Sequence, residues 1–251
     1  MTARLDIVVV YPDLLGTYGD GGNGAILAKR AAWRGIDASL VQATSDRPLP
    51  RGDLYCIGGG EDGPQVRAAR NLVADGTLAA AVADGAAVLA VCAGYQLTGR
   101  AFPDAAGRPV DGLGLLDVTT VKGRGRRAVG EVVADPLPSS PSPSGRSGLP
   151  VLTGFENHAG RTAVGAGALP LARVRHGIGN GDGPDGGAAT EGAWSGRVVG
   201  TYLHGPVLAR NPSLADLLLG WALGGDVALE PLDDREEEAL RAERLTRAGR
   251  R

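Results

Sequence analysis

The sequence feature that most constrains the fold is an apolar run that ends abruptly in a turn of small residues. Residues 86–91 read AAVLAV, the composition of a buried strand, and Cys92-Ala93-Gly94 follows directly. A sharp strand-to-helix turn of this kind holds one side chain at a fixed, exposed point. The start of the next helix adds positive potential that favours a thiolate. The pattern predicts that Cys92 is a nucleophile, with the small buried hydrophobic residue as the ordinary alternative.

Strands and helices alternate along the first half of the chain. Three more apolar runs, at residues 7–10, 38–41 and 54–57, read as short strands, and helical spacing separates the first two. This alternation predicts an α/β domain with a mostly parallel central sheet and helices on both faces. Ligands bind such sheets at the carboxyl ends of the strands. Residue 91 marks one of these ends.

The second half reads as further strands between loops. Residues 136–150 are dense in serine, proline and glycine, which predicts a mobile surface loop. The segment after Asp233 is charged, with the spacing of a solvated helix. We therefore expect one domain over residues 1–230 and an exposed, charged tail over residues 231–251.

Composition excludes several classes of function. A formal net charge of -2 over 251 residues gives no basic footprint for nucleic acid or an anionic membrane. Two cysteines, Cys56 and Cys92, are too few for a disulfide framework or a metal cage, and Cys56 lies in an apolar strand where core packing is expected. No apolar run of about 18 residues occurs, and the first residues lack a signal-peptide pattern. A cytoplasmic protein without a metal is expected.

A glycine turn and a histidine follow two other predicted strands. Gly58-Gly59-Gly60 follows one strand, and His204 follows the apolar segment 198–203. If both strands are parallel to the one before Cys92, all three motifs meet at one edge of the sheet. His204 can then take the thiol proton and return it to a leaving amine, while the glycine turn and Ala93 each offer a backbone N–H to an oxyanion. Taken singly, each motif is also compatible with an ordinary turn or a structural histidine.

These motifs resemble the class I glutamine amidotransferases of the cobyric-acid-synthase type. The resemblance rests on the glycine turn, on CAGYQ at residues 92–96 and on His204. Other segments resemble, within that family, the GatD-type glutaminase subunits of lipid II isoglutaminyl synthases: YPDLL at 11–15, TYGD at 17–20, GFENH at 154–158 and YLHGP at 202–206. The resemblance covers nearly the whole chain except residues 136–150 and the tail. It implies a single flavodoxin-like amidotransferase domain.

The resemblance also implies roles for the matching residues. Cys92 attacks the side-chain amide of glutamine, which releases ammonia and leaves a γ-glutamyl thioester that water hydrolyses. His204 is the general acid and base, and Gly60 and Ala93 form the oxyanion hole. The residues expected to bind the glutamine are Gln96, Gly59 and Arg127, with Arg126 as the alternative in register and an ordinary basic surface patch as the alternative for both.

A third catalytic residue is not assigned. Many class I enzymes have a glutamate two residues after the histidine, where this chain has Pro206. Cys92 and His204 therefore act as a dyad or use another acid, with Glu156 as a weak candidate. His158 is expected to fix a loop rather than to take part in the reaction.

The chain has no phosphate-binding loop and no dinucleotide-binding fingerprint, so it shows no recognisable means of activating a carboxylate with ATP. No cofactor is expected in this chain. The resemblance implies a heterodimer with a Mur-ligase-like subunit of the MurT type, on which ATP and Mg²⁺ are expected. That partner binds lipid II, activates the α-carboxyl of D-glutamate in the stem peptide and uses the ammonia to form D-isoglutamine in the peptidoglycan precursor.

Three other functions stay open. The first is the amidation of corrins (cobyric or cobyrinic acid), although in that family the glutaminase domain is fused to a synthetase domain that this chain is too short to contain. The second is a cysteine hydrolase that acts alone on γ-glutamyl substrates. The third is a non-catalytic binding module, against which the intact Cys92, His204 and glycine turn argue.

Overall fold

The computed structural model describes residues 4–144, 148–181, 188–225 and 227–248. Its main element is a nine-stranded mixed sheet, whose strands are, in spatial order, β2 (Ala38–Ala43), β1 (Leu5–Val10), β3 (Leu54–Ile57), β4 (Ala87–Val91), β13 (Val198–Thr201), β12 (Thr190–Ser195), β11 (Leu169–His176), β8 (Ala128–Pro136) and β9 (Leu152–His158). A second sheet contains β10 (Gly160–Val164), β7 (Val118–Lys122), β5 (Ala101–Pro103) and β6 (Pro109–Asp111). The helices are α1 (Gly22–Trp33), α2 (Asp62–Asp75), α3 (Thr77–Ala83), α4 (Ala93–Thr98), α5 (Val207–Arg210), α6 (Pro212–Ala222) and α7 (Arg235–Ala248).

The first five strands of the large sheet are parallel, which confirms the predicted α/β class. Every residue of β3, β4 and β13 is buried. Because successive side chains of a strand point to opposite faces, strands buried throughout must be covered on both sides. Helices α1 and α6 pack against each other over these strands, as do α2 and α4. The apolar runs at residues 7–10, 54–57, 86–91 and 198–203 form this core, whereas the run at 38–41 lies in the edge strand β2 and is half-buried or exposed.

The other four strands of the large sheet pair in antiparallel fashion, and they extend the parallel half. In β9 the side chains alternate, with Glu156 and His158 buried and Phe155 and Asn157 half-buried. Phe155 also exchanges two backbone hydrogen bonds with His204, at 2.8 and 3.1 Å, just beyond the end of β13. The antiparallel half thus folds back onto the carboxyl edge of the parallel half and brings the GFENH segment there.

The charged C-terminal segment is anchored where it begins, which corrects the expectation of an exposed tail. Arg30 of α1 is buried and contacts Asp216 of α6 at 2.9 Å and Asp234 at 2.5 Å. Arg34 donates to the Glu230 carbonyl at 2.7 Å. The chain then continues as α7, which lies against α5, β8 and β9 with none of its described side chains buried. The domain boundary after residue 230 stays a prediction.

Part of the predicted loop at 136–150 is packed onto the protein. Leu149 is buried, and the Ser140 hydroxyl accepts the Leu137 N–H at 2.8 Å and donates to the Leu171 carbonyl. Residues 145–147 lie outside the described residues, so the predicted mobility of the loop stays a prediction. Across the described ranges, no helix is both long and apolar enough to cross a membrane.

Candidate active site

Cys92 stands between β4 and α4 in a backbone conformation that non-glycine residues rarely adopt. Its φ is +52° and its ψ is −104°. Neighbouring backbone hydrogen bonds hold it there: the Cys92 N–H donates to Thr201 at 2.8 Å, and the Gly94 N–H donates to Gly58 at 3.1 Å. Any side chain at Gly94 would place its Cβ 2.6 Å from the Ile57 carbonyl oxygen. The strand–turn–helix expected from the sequence is therefore present, and the packing around it maintains the strain at Cys92.

The thiol is less exposed than the sequence suggested. Cys92 is only 7 % exposed, and it lines a cavity of about 210 Å³ rather than the open surface. Gly60, Ala93 and Gln96 line the same cavity, together with Arg127 at its rim. A small ligand must therefore enter this cavity to reach the sulfur.

His204 lies beside Cys92 and is paired with a buried carboxylate. Its Nδ1 atom is 2.9 Å from Oδ2 of Asp20, and both side chains are buried. Its buried Nε2 atom has no hydrogen-bond partner among the described residues, and Cys92 lies near enough to affect the pKa of the ring. Burial alone would lower the pKa of His204, but hydrogen bonds with Asp20 and Cys92 and their negative charge outweigh burial and raise this pKa to about 10. An imidazolium at this position stabilises a thiolate.

Asp20 is the third member of this group, and the sequence analysis did not assign it. Its Oδ2 atom also accepts the Gly59 N–H at 2.9 Å, which fixes the carboxylate between the glycine turn and the imidazole. Glu156 is not that acid, because it accepts the N–H groups of Ile178 and Gly179 at 2.9 and 2.8 Å, away from His204. The available signal was the position of Asp20 in TYGD, a loop that follows β1 and so starts at the same sheet edge.

The glycine turn is required by close packing on both of its sides. A Cβ at Gly58 would lie 2.3 Å from the Leu15 carbonyl oxygen, and one at Gly59 would lie 2.8 Å from Cε1 of His204. A side chain at either position would therefore push the His204–Asp20 pair or the loop after β1 out of place. The turn thus fixes the distance between β3 and these two parts of the site.

Gly60 and Ala93 are in position to donate to an oxyanion. Both line the cavity next to Cys92, and within the described part of the chain neither backbone N–H has a hydrogen-bond acceptor. Backbone donors of this kind stabilise negative charge only if no other group uses them. Their role in an oxyanion hole stays a prediction, with a geometry that is compatible with it.

Gly59 and Gln96 are held by the protein itself. The Gly59 N–H donates to Asp20, its carbonyl accepts the Thr17 N–H at 3.1 Å, and Gly59 does not line the cavity. Gly59 therefore supports the His204–Asp20 pair, and its part in binding the substrate stays a prediction. Gln96 lines the cavity, where its Oε1 accepts from Gln65 at 3.0 Å and its Nε2 donates to Tyr202 at 3.2 Å.

The structure places Arg127, and not Arg126, at the cavity. Arg127 donates from Nε to Oδ1 of Asn157 at 2.5 Å and from Nη2 to the Asn157 carbonyl at 3.1 Å. Arg126 does not line the cavity, and its carbonyl accepts a long hydrogen bond of 3.4 Å from Arg161. The choice between the two arginines that the sequence left open therefore falls on Arg127.

Cys56 occupies the structural position expected for it, whereas His158 lines the active-site cavity and is also held by neighbouring residues. The His158 ring stacks on Tyr202 with centroids 3.7 Å apart, and its Nδ1 is 3.1 Å from the Gly160 carbonyl. Cys56 is buried inside β3, and burial raises the pKa of its thiol to about 12. In the described ranges no cluster of three or more His, Cys, Asp or Glu side chains could hold a metal ion.

Several known proteins are similar to this chain in sequence. The chain is 34 % identical to the GatD subunit of the glutamine-hydrolysing lipid II isoglutaminyl synthase of Staphylococcus aureus, over 96 % of this chain and 94 % of that protein. It is 32 % identical to the GatD subunit of Streptococcus pneumoniae, over 92 % of this chain and 86 % of that protein. Cobyric acid synthase of Pelotomaculum thermopropionicum is 42 % identical over 56 % of this chain but only 26 % of its own length.

A crystal structure of a glutamine amidotransferase has the same fold, with a TM-score of 0.58 and 21 % identity over 86 % of this chain and 98 % of that one. The family model for the CobB/CobQ-like glutamine amidotransferase domain matches residues 6–212. The matched range includes Asp20, Cys92 and His204. The chain belongs to the CobB/CobQ-like glutamine amidotransferase family.

Proposed function

We propose that the chain is the glutaminase subunit of a lipid II isoglutaminyl synthase. The GatD subunits are similar to it over most of both chains, whereas cobyric acid synthase is similar over about a quarter of its own length. This difference favours cell-wall precursor amidation over corrin amidation. The observation that carries the chemical part of the proposal is the arrangement of Cys92, His204 and Asp20 beside a cavity that a small ligand can enter.

The first half-reaction makes a thioester. The Cys92 sulfur attacks the side-chain amide carbon of glutamine, and the N–H groups of Gly60 and Ala93 donate hydrogen bonds to the amide oxygen as negative charge develops on it. His204 holds the thiol proton on Nε2 and gives it to the departing nitrogen. The C–N bond breaks, ammonia leaves, and a γ-glutamyl group stays on Cys92.

The second half-reaction frees the enzyme. His204 takes a proton from a water molecule, which attacks the thioester carbon, and the C–S bond breaks to release glutamate. The proton then returns to the sulfur. Asp20 holds Nδ1 throughout, so that Nε2 stays directed at the reacting atoms.

Charges around the cavity are complementary to a free amino acid. Arg127 and Lys122 bring positive charge to its lining, and Glu61, Asp62 and Asp104 bring negative charge. A zwitterion such as L-glutamine can place its α-carboxylate near the first group and its α-ammonium near the second. We infer that Arg127 binds the carboxylate, while Gln96 orients the amide end.

The ammonia released from glutamine must be used by a second reaction. We propose that a Mur-ligase-like partner of the MurT type, with ATP and Mg²⁺, activates the α-carboxyl of D-glutamate in lipid II and receives the ammonia in a heterodimer. The absence of a recognisable phosphate-binding loop in this sequence supports this division of labour. We expect the chain itself to need no cofactor and to act in the cytoplasm.

The test is ammonia release from L-glutamine by the wild-type chain, Cys92→Ala and the matched control Cys56→Ala, each with and without the synthetase partner. We expect Cys92→Ala alone to lose the activity, and we expect the partner to stimulate the other two. Amidation by the complex supplied with free ammonia should survive in Cys92→Ala. Release that does not depend on Cys92 would overturn the glutaminase assignment. Hydrolysis of γ-glutamyl peptides with no response to the partner would favour a stand-alone hydrolase.

A further inference from the structure

Tyr18 lies at the rim of the active-site cavity in a conformation that its own packing does not explain. Its φ is +63°, a value that costs free energy in any residue other than glycine. Its side chain is 45 % exposed, so burial of the ring does not compensate for this strain. Strain that persists without a packing reason is a mark of functional positions.

The chain on both sides of Tyr18 is fixed to the catalytic centre. The Thr17 N–H donates to the Gly59 carbonyl at 3.1 Å, and Asp20 binds both the Gly59 N–H and His204. Tyr18 is therefore held between two anchors that belong to the site. Any shift of this loop changes the position of its ring and of the catalytic carboxylate together.

The ring of Tyr18 covers His204. The two ring centroids are 4.9 Å apart, with an interplanar angle of 59°. Asp20 binds Nδ1 of the imidazole, Nε2 has no hydrogen-bond partner among the described residues, and the Tyr18 ring contacts the ring itself. This contact holds the imidazole in place and keeps bulk water from it.

The hydroxyl of Tyr18 is connected to Arg127 through Asn157. Nδ2 of Asn157 donates to the Tyr18 oxygen at 2.5 Å, and Oδ1 of Asn157 accepts from Nε of Arg127 at 2.5 Å. Both ends of the Asn157 amide are used, so the hydroxyl determines which way this amide faces. Without it, the amide is free to turn away from Arg127.

We propose that Tyr18 is a positioning residue with two separable tasks, which its ring performs on His204 and its hydroxyl performs, through Asn157, on Arg127. The inference rests on the proposed function, in which Arg127 binds the carboxylate of glutamine. The hydroxyl then affects substrate binding, and the ring affects the chemical step. Tyr18 makes no direct contribution to bond breaking.

The experiment measures kcat and KM for glutamine hydrolysis in the complex, for wild type, Tyr18→Phe and Tyr18→Ala. Tyr18→Phe keeps the ring, so we expect KM to rise about three- to tenfold while kcat stays within about twofold. Tyr18→Ala loses the ring as well, and we expect the same rise in KM with a fall in kcat of about tenfold. A merely structural role would not divide the two constants in this way.

A double variant tests the path through Asn157. If the hydroxyl acts only through that amide, Tyr18→Phe combined with Asn157→Ala should have the same KM as Asn157→Ala alone. The matched control is Tyr55→Phe, which removes a buried hydroxyl that binds Gly52 and Pro50 away from the cavity, and whose kcat and KM should equal those of wild type.

An unchanged KM in Tyr18→Phe would overturn the task of the hydroxyl. A kcat in Tyr18→Ala equal to that of Tyr18→Phe would overturn the task of the ring, and additive effects in the double variant would exclude the path through Asn157. Failure of the wild-type complex to hydrolyse glutamine is a different result, because it would sink the proposed function itself.

Discussion

Two buried histidine–carboxylate pairs lie in the described part of the chain, and they differ in the groups that surround the ring. In the Asp20–His204 pair the carboxylate is 2.9 Å from Nδ1, and the thiol of Cys92 is next to the ring. In the Glu156–His158 pair the carboxylate is 3.4 Å from Nε2, and Nδ1 lies 3.1 Å from a backbone carbonyl. Neither Nε2 atom has a hydrogen-bond partner among the described residues, but the first ring lies beside a thiol, with which it can exchange a proton, and the second lies against a carboxylate.

The two pairs also differ in how the fold brings the histidine and the carboxylate together. Glu156 and His158 are two residues apart on β9, so the alternation of a strand places them on one face. Asp20 and His204 are 184 residues apart, and the parallel strands bring the ends of β1 and β13 to one edge. The same residue types thus make a structural pair by local geometry and a candidate catalytic pair by topology.

The largest expected effect comes from replacing the two histidines in turn. His204→Gln removes the proton acceptor of Cys92, and we expect glutamine hydrolysis to fall about 10²- to 10⁴-fold. His158→Gln removes a ring that stacks on Tyr202 and binds the Gly160 carbonyl, and we expect a change of less than about tenfold. Initial rates of ammonia release compare the two variants. Equal losses would mean that the distinction between the two pairs is wrong.

The carboxylates give the next largest effect. In Asp20→Asn the amide no longer stabilises an imidazolium, so the proton on the ring is held less tightly and the hydrolysis rate should fall about 10²-fold. Glu156→Gln should leave kcat within about threefold and instead lower the free energy of unfolding by about 1–3 kcal/mol, because it weakens the bonds to Ile178 and Gly179. Urea unfolding and steady-state kinetics on the same preparations measure both quantities. A larger loss of activity in Glu156→Gln would reverse the assignment.

The pH dependence of the free energy of unfolding gives a further test of the His204 environment. The pKa of His204 is raised from 6.5 to about 10 on folding, so its protonation favours the folded state. This contribution is complete below about pH 6.5 and is lost as the pH rises through 10. The unfolding midpoint of wild type should therefore exceed that of His204→Gln most at about pH 6, and the gap should narrow toward pH 10. A gap that does not change with pH would contradict the pairing with Asp20 and Cys92.

The smallest expected effect concerns the two thiols. Cys56→Ala should change the free energy of unfolding by about 1 kcal/mol and leave glutamine hydrolysis unchanged, because its thiol only packs in the core. Alkylation of the native protein should occur at Cys92 and not at Cys56, whose burial raises its pKa to about 12. Rapid alkylation of Cys56 in the folded protein would show that β3 is more open than described.

The sequence predicts those parts of the fold and site that follow directly from apolar strands. Cys92, His204 and the glycine turn each stand immediately after such a strand, and the parallel half of the sheet places them together. Asp20 escaped prediction because it stands ten residues beyond β1, in a loop whose course depends on the fit of Gly58 against the Leu15 carbonyl. No periodicity in the sequence encodes such a contact.

The antiparallel half and the C-terminal anchor escaped prediction for a similar reason. The sequence predicts strands in the second half without giving their partners, and the pairing of β7 with β10 in a separate small sheet depends on contacts between distant segments. Arg30 and Asp234 are 204 residues apart, and each alone reads as an ordinary surface charge. Burial of the Arg30 guanidinium is visible only once the chain is folded.

The most direct test of the central claim is the intact mass of the protein after it is mixed with glutamine and quenched in acid. The account predicts a γ-glutamyl adduct on Cys92 in the wild type, sensitive to hydroxylamine as a thioester is, and none in Cys92→Ala. The adduct should form far more slowly in His204→Gln. An adduct on another residue, or glutamine hydrolysis that persists in Cys92→Ala, would contradict the account.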